Sequence, residues 1–250
     1  MKPVKRVCKV CIGLVLVVFV FAGAVAYLLY FYTGDLPSIL TLQQFNPSTE
    51  SEARVRACDN SEVVAHVLPY DEFGTYIVSA VLAAEGEVDM RSPFRALLSD
   101  FTDVSSDETR RGGRYPWQLA RTLVCGRESP LRRQVKELRI ANAITRHFDR
   151  RELVTVYLNS VYLGASTYGV EDGAERYFGK HAKDLSLGQA ALLAGLIRAP
   201  GEYSPLRHAE RAFARRNSVL DQMVRMGSIS AADAEGAETA GLAVKKNVQH

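Results

Sequence analysis

Two glutamates and a run of arginines are the residues of this 250-residue chain whose types and spacing could do chemistry. Glu85 closes a stretch in which Tyr76, Ile77, Ala80, Val81 and Ala84 recur at helical spacing, so it is expected at a helix end near Gly86. Glu137 follows Arg133 by four residues inside a strongly basic stretch. From Arg110 to Arg151 the chain holds twelve Lys or Arg residues against Glu128, Glu137 and Asp149, a net of +9. A positioned carboxylate can take a proton from a hydroxyl, and a bank of cations can hold a departing phosphate or pyrophosphate. Together they suit transfer of a sugar from a phosphate leaving group.

Other chemistries are a poor match. The five histidines, His66, His147, His181, His208 and His250, are scattered, and no H-E-x-x-H occurs. No Ser is followed three residues later by Lys, and K-T-G is missing, which argues against a penicillin-type acyl enzyme. No Gly-rich phosphate loop is present, and no pattern calls for nucleic acid. A lysozyme-like hydrolase also uses paired carboxylates, but it gives the arginine band no task. The plainer alternatives are that Glu85 is a solvated helix-end residue and that Glu137 is half of an exposed Arg133 pair, worth about 0.3 to 0.5 kcal/mol. Tyr115 and Trp117 read as packing or interfacial residues, Tyr157, Asn159, Tyr177 and Phe178 as core or helix-end structure, and Lys180 as a surface cation.

These residues need elements to hold them. Hydrophobic residues at 47%, charged residues at 24%, 9 Pro and 18 Gly are near globular averages, which excludes a wholly disordered, collagenous or disulfide-scaffold chain. The net charge of +3 is unevenly spread: Lys2, Lys5, Arg6 and Lys9 are the only charges before Asp35. Residues 10–32 carry none, and as a helix they would measure about 34 Å, enough to cross a hydrocarbon core of roughly 30 Å. The preceding cations put the N-terminus in the cytoplasm and the rest of the chain outside, with Tyr27, Tyr30, Phe31 and Tyr32 at the outer headgroups. A cleaved signal peptide is the rival reading, with small residues at Ala22 to Ala26, but the apolar run continues past them. Cys8 and Cys11 form a lone C-x-x-C and read as incidental thiols; Cys58 and Cys125 lie on the side where a disulfide could persist.

Residues 33–70 read as a linker with a short strand near Val63 to Leu68, and 100–114 as a polar loop. Helix signals follow. Ser129 and Pro130 open a helix with Leu131, Val135, Leu138, Ala141, Ile144 and Phe148 at steps of three or four. Asp149 with Glu152 opens a second helix through Asn159, and Ser186 with Gln189 opens an apolar one, Ala190 to Ile197, before Pro200. Arg207 to Met226 is amphipathic and stops at Gly227; Ser230 and Asp233 start a last short helix. The fold is expected to be mainly α, organised as a cytoplasmic tail (1–9), a transmembrane helix (10–32), a membrane-proximal linker (33–70) and a helical domain (71–245).

The motifs V-L-A-A-E-G, R-G-G-R-Y-P-W-Q-L-A-R, R-R-Q-V-K-E, R-R-E-L-V-T-V-Y-L-N-S-V-Y-L-G, Y-G-V-E-D-G-A-E-R-Y-F-G-K and A-L-L-A-G-L-I-R-A-P-G-E-Y-S-P occur in that order. The stretch from Tyr76 to Ala240 resembles the family 51 glycosyltransferases, the peptidoglycan glycosyltransferase domains of penicillin-binding proteins and their monofunctional relatives. The resemblance implies a lysozyme-like helical domain and polymerisation of lipid II into glycan outside the bacterial cytoplasmic membrane. It implies inverting transfer with release of undecaprenyl pyrophosphate, and a setting in which other cell-wall synthesis proteins are partners. Glu85 matches the family's general base and Glu137 its second glutamate. Arg133 and Lys136 would hold the pyrophosphate, with Arg114, Gln118 and Arg121 as further substrate contacts. No cofactor is required by a ligand signature, although the family admits a divalent cation, Mg or Mn.

Two motifs depart from the pattern. From the base onward the family reads Glu-Asp-x-x-Phe-x-x-His-x-Gly, where this chain keeps only Glu85 and has Gly86, Asp89, Ser92 and Phe94 at the last four matching places. Gly-Ser-Thr-Ile-Thr-Gln-Gln-Leu-Ala-Lys is replaced by residues 112–121, which loses the hydroxyls and, at Trp117, one amide, and puts the conformationally restricting Pro116 where the family has a Thr. These departures leave open a catalytically impaired relative that binds lipid II or acts as a cell-wall scaffold.

Overall fold

Local capping chemistry sets three of the helix starts in the computed structural model of the chain, which describes residues 15–27, 39–46, 52–56, 62–85, 119–120 and 130–245. Residues 15–27 form helix α1, whose apolar side chains are exposed. No helix among the described residues is long and apolar enough to cross a membrane. Both ends of the expected 10–32 span lie outside the described residues, as do all four cysteines and the expected loop 100–114.

A 3-10 helix at Ile39–Phe45 precedes an antiparallel hairpin of β1 (Glu52–Arg56) and β2 (Glu62–His66), with Glu52 opposite His66. The sequence suggested linker and one strand here. E-A-R-V-R is too short and charged to signal a strand alone; pairing with β2 supplies its second set of hydrogen bonds. The helices then run α2 (Thr75–Glu85), α3 (Pro130–His147) and α4 (Arg150–Ser160). A second hairpin, β3 (Tyr162–Gly164) with β4 (Thr167–Tyr168), leads to α5 (Val170–Phe178), α6 (Leu187–Leu196), α7 (Ala209–Arg225) and α8 (Ala231–Thr239).

The three expected caps form as full capping boxes at Asp149/Glu152, Ser186/Gln189 and Ser230/Asp233. Each satisfies backbone N–H groups that the first helical turn would leave unpaired. Helix α6 is buried from Gly188 to Leu196, as expected of a helix apolar on all sides. It is the axis of the core, with α2 and α7 packed on it. At Gly188 a Cβ would stand 3.0 Å from the Ala237 carbonyl oxygen, so the glycine lets α8 approach the start of α6.

The lobe is stitched to the preceding segments by Asn159, which is 0% exposed. Its Nδ2 donates to the carbonyls of Phe45 and Leu68, both at 2.9 Å, and its Oδ1 accepts from the Leu68 N–H at 3.0 Å. All three bonds tie α4 to chain that lies before α2. The neighbouring carbonyl of Asn159 also faces Gly169, whose φ of +80° and lack of Cβ allow a close approach; a Cβ would lie 2.8 Å from that oxygen. On the surface nearby, Arg151 bonds both oxygens of Asp71 and stacks 4.6 Å from the Tyr70 ring centre.

Asn159→Ala should lower unfolding free energy by about 2–4 kcal/mol, because three backbone groups lose their partner. Arg151→Ala, at an exposed pair, should cost less than about 1 kcal/mol. Urea denaturation of both variants measures the difference, and equal losses would refute the clamp.

Candidate active site

Glu85 is the last residue of α2 and is 3% exposed. Its helix buries Ile77, Ala80, Val81 and Ala83, and the carboxylate goes in with them. The solvated helix-end reading of Glu85 is thereby corrected. A buried carboxylate is costly without polar company, and the C-terminal end of a helix dipole gives a negative charge no support. Along the same helix a groove of about 320 Å³ is lined by Tyr70, Asp71, Thr75, Val78, Ser79 and Leu82. At 100° per residue Glu85 falls in line with Val78 and Leu82, one turn beyond the groove.

The second carboxylate sits on α3. Glu137 and Lys136 are each 4% exposed, and Arg133 Nε donates to Glu137 Oε1 at 3.0 Å while remaining half-exposed itself. The reading of Glu137 as half of an exposed Arg133 pair fails for a geometric reason. Counting 100° per residue, Lys136, Glu137, Ile140, Ala141, Ile144 and Phe148 share one side of the helix, and all are buried. Val135 and Leu138 point to the opposite side and are only half-buried. The apolar stripe changes sides midway, and the inward side of the first half of α3 is polar and charged.

Helices α2 and α3 contribute Ile77, Ala80, Val81, Ile140, Ala141 and Ile144 to one continuous core, so both carboxylates belong to the same packed lobe. Leu119 and Ala120, also fully buried in that core, adjoin the expected contacts Gln118 and Arg121. Arg114, Gln118 and Arg121 themselves lie outside the described residues, as do Gly86, Asp89, Ser92, Phe94 and residues 112–117. Among the described residues no group of three or more His, Cys, Asp or Glu could hold a metal ion.

Tyr157, Asn159, Tyr177 and Phe178 are all buried, as expected of core residues, and Tyr177 OH donates to the Leu163 carbonyl at 2.8 Å. Lys180 is exposed and reaches Gln189 Oε1 at 3.2 Å. The sequence reading missed Asp172, which bonds both the backbone N–H and the ring of His66. Its signal was present: acids in a first helical turn favour the positive dipole end, but their partner lies more than a hundred residues away.

Comparison with known proteins bears on the whole of this arrangement. Penicillin-binding protein 1A of Aquifex aeolicus is 34% identical over an alignment covering 95% of this chain and 34% of that protein. Penicillin-binding protein 1A of Vibrio cholerae is 33% identical, covering 83% of this chain and 26% of that one. The chain thus spans about a third or less of the length of these curated relatives. The crystal structure of Penicillin-Binding Protein 1A from Haemophilus influenzae aligns with a TM-score of 0.44 at 20% identity, over 80% of this chain and 22% of that one, a likeness too low to carry an argument. The model of the transglycosylase family matches residues 52–224, from the start of β1 to the end of α7, and so takes in Glu85, α3 and the Asn159 clamp. The chain belongs to the transglycosylase family.

Proposed function

We propose that this chain is a peptidoglycan glycosyltransferase that polymerises lipid II by inverting transfer. The observation that carries the reading is the burial of Glu85 together with that of Lys136 and Glu137, in a lobe whose core is for the most part apolar. Charged groups are placed in such surroundings at a cost, and a reaction that develops and moves charge makes use of them.

In this reading Glu85 accepts the proton of the acceptor sugar's 4-hydroxyl as that oxygen attacks the anomeric carbon of the donor. The new glycosidic bond forms as the bond to undecaprenyl pyrophosphate breaks, and the configuration inverts. Arg133 presents a planar fork and Lys136 a point charge to the departing diphosphate. Glu137, held by Arg133 at 3.0 Å, keeps that fork in place. Gln118 and Arg121, where the family has Gln and Lys, complete the substrate contacts together with Arg114, which stands where the family has Thr. The family admits Mg or Mn; with no fitting ligand group among the described residues, no step here passes through a cation.

A substrate with a polyprenyl chain requires the enzyme to work at a bilayer. The exposed apolar face of α1, within the uncharged stretch 10–32, supports an anchor that leaves the domain outside the cytoplasmic membrane. Other cell-wall synthesis proteins are the expected company there. The departures at Gly86 and at residues 112–121 favour one second reading, a relative that binds lipid II without polymerising it.

Purified full-length chain with labelled lipid II separates the two. Polymer should form, and Glu85→Gln should slow it by about 10²–10⁴-fold with the helical content unchanged. Tight binding without polymer from the native chain would instead establish the scaffold reading, and fragments released from preformed glycan would establish a hydrolase. Arg133→Ala should weaken lipid II binding most at low salt, and binding unchanged at low ionic strength would remove Arg133 from the phosphate site.

A further inference from the structure

The first turn of α5 carries two adjacent acids that do the same thing twice. Asp172 Oδ2 accepts the backbone N–H of His66 at 3.0 Å while Oδ1 meets the same residue's ring Nδ1 at 2.5 Å. Glu171 Oε2 accepts the N–H of Ala182 at 2.8 Å while Oε1 meets the ring Nδ1 of His181 at 2.6 Å. Each carboxylate therefore holds a passing segment by one fixed backbone bond and one bond that a proton on an imidazole can strengthen. The His181 arm closes a local loop. The His66 arm holds the last residue of the β1–β2 hairpin, and Leu68, two residues on, is held by Asn159 before the chain enters α2 and reaches Glu85.

The surroundings of His66 are acidic from several directions. Glu52 stands opposite it on β1, and Glu171 and Asp172 face it from α5. Strand β4 offers Thr167 and Tyr168. Of the charged side chains on α4, Arg151 is engaged with Asp71 and Glu152 with the Asp149 N–H, and Arg150 is exposed at the start of the helix. The hydrogen bond to Asp172 holds the His66 imidazole above the ordinary histidine range, against the opposing effect of its burial, and the charges of Asp172, Glu52 and Glu171 add to it. His181 is raised as well, by its hydrogen bond to Glu171.

We infer that His66 and Asp172 form a proton-operated latch that fastens the β1–β2 hairpin to the helical lobe and so sets how firmly the segment entering the Glu85 helix is held. Because docking favours the imidazolium, the latch is full below the unfolded histidine value and weakens as pH rises through the docked value. The backbone bond from His66 to Asp172 survives, so the hairpin loosens without being released. The latch stands independently of the sugar-transfer reading, since its readout is the hairpin itself.

Hydrogen exchange of the β2 amides in the full chain in detergent micelles, corrected for intrinsic rates, is the test. From about pH 5.5 to about pH 8, protection should fall on the order of fivefold, the factor separating a charge-assisted from a neutral hydrogen bond. His66→Gln should remove this pH dependence, while His181→Gln should retain it. A flat profile in the native chain, or the same slope in His66→Gln, would overturn the latch. Should His66→Gln not fold, the NMR titration of the native His66 ring decides: a midpoint clearly above 6.5 supports the latch, and one at or below it refutes it.

Discussion

The fold turns on one buried amide. Asn159 has a carbonyl oxygen with two lone pairs and two donor hydrogens, and its contacts with Phe45 and Leu68 use both donors and one acceptor position. Its partners lie 114 and 91 residues away in sequence, so a single side chain fixes where the segments before α2 meet α4. The neighbouring approach of Gly169 to the Asn159 carbonyl extends the same joint into α5. The placement of α2 relative to the rest of the lobe, and with it that of Glu85, follows from this joint and from the packing of α2 on α6.

Buried charge marks the candidate site, but burial alone does not assign a role. Arg216 is as buried as Glu137, yet its guanidinium bonds the carbonyls of Ala237 at 3.3 Å and Glu238 at 3.0 Å, closing the C-terminal end of α8. Burial holds its proton affinity below the usual arginine range, with the charge of Glu238 acting the other way. That is a cation with a complete structural task. Glu85, Lys136 and Glu137 differ by context: they lie in motifs within the matched family region, at the end of a grooved helix and on the inward side of a basic one.

What could be read from the sequence was what acts locally. Asp149, Ser186 and Ser230 cap helices because each needs only a partner three residues away, and all three boxes form. The end of α2 at Glu85 and the opening of α3 at Pro130 were equally visible. Long-range pairing was not. Strand β1 is a strand because β2 is there, and the β3–β4 turn uses Ala165 and Ser166 at φ of 51° and 58°, residue types that seldom signal such a turn. Helix α5 carried signals that went unread: acids at Glu171 and Asp172, Arg176 in the last turn, and Gly179 as a left-handed stop. The face of α3 misled because periodicity detects apolar burial, whereas Lys136 and Glu137 are charged and buried all the same.

Helix α6 has one more implication, for the order in which the lobe can assemble. It lacks a solvent-facing side, and the elements that cover it come from both ends of the chain: α2 about a hundred residues earlier, α7 just after. On the ribosome, α2 waits roughly a hundred residues for α6 to emerge, and neither has finished shelter until α7 is complete near residue 225.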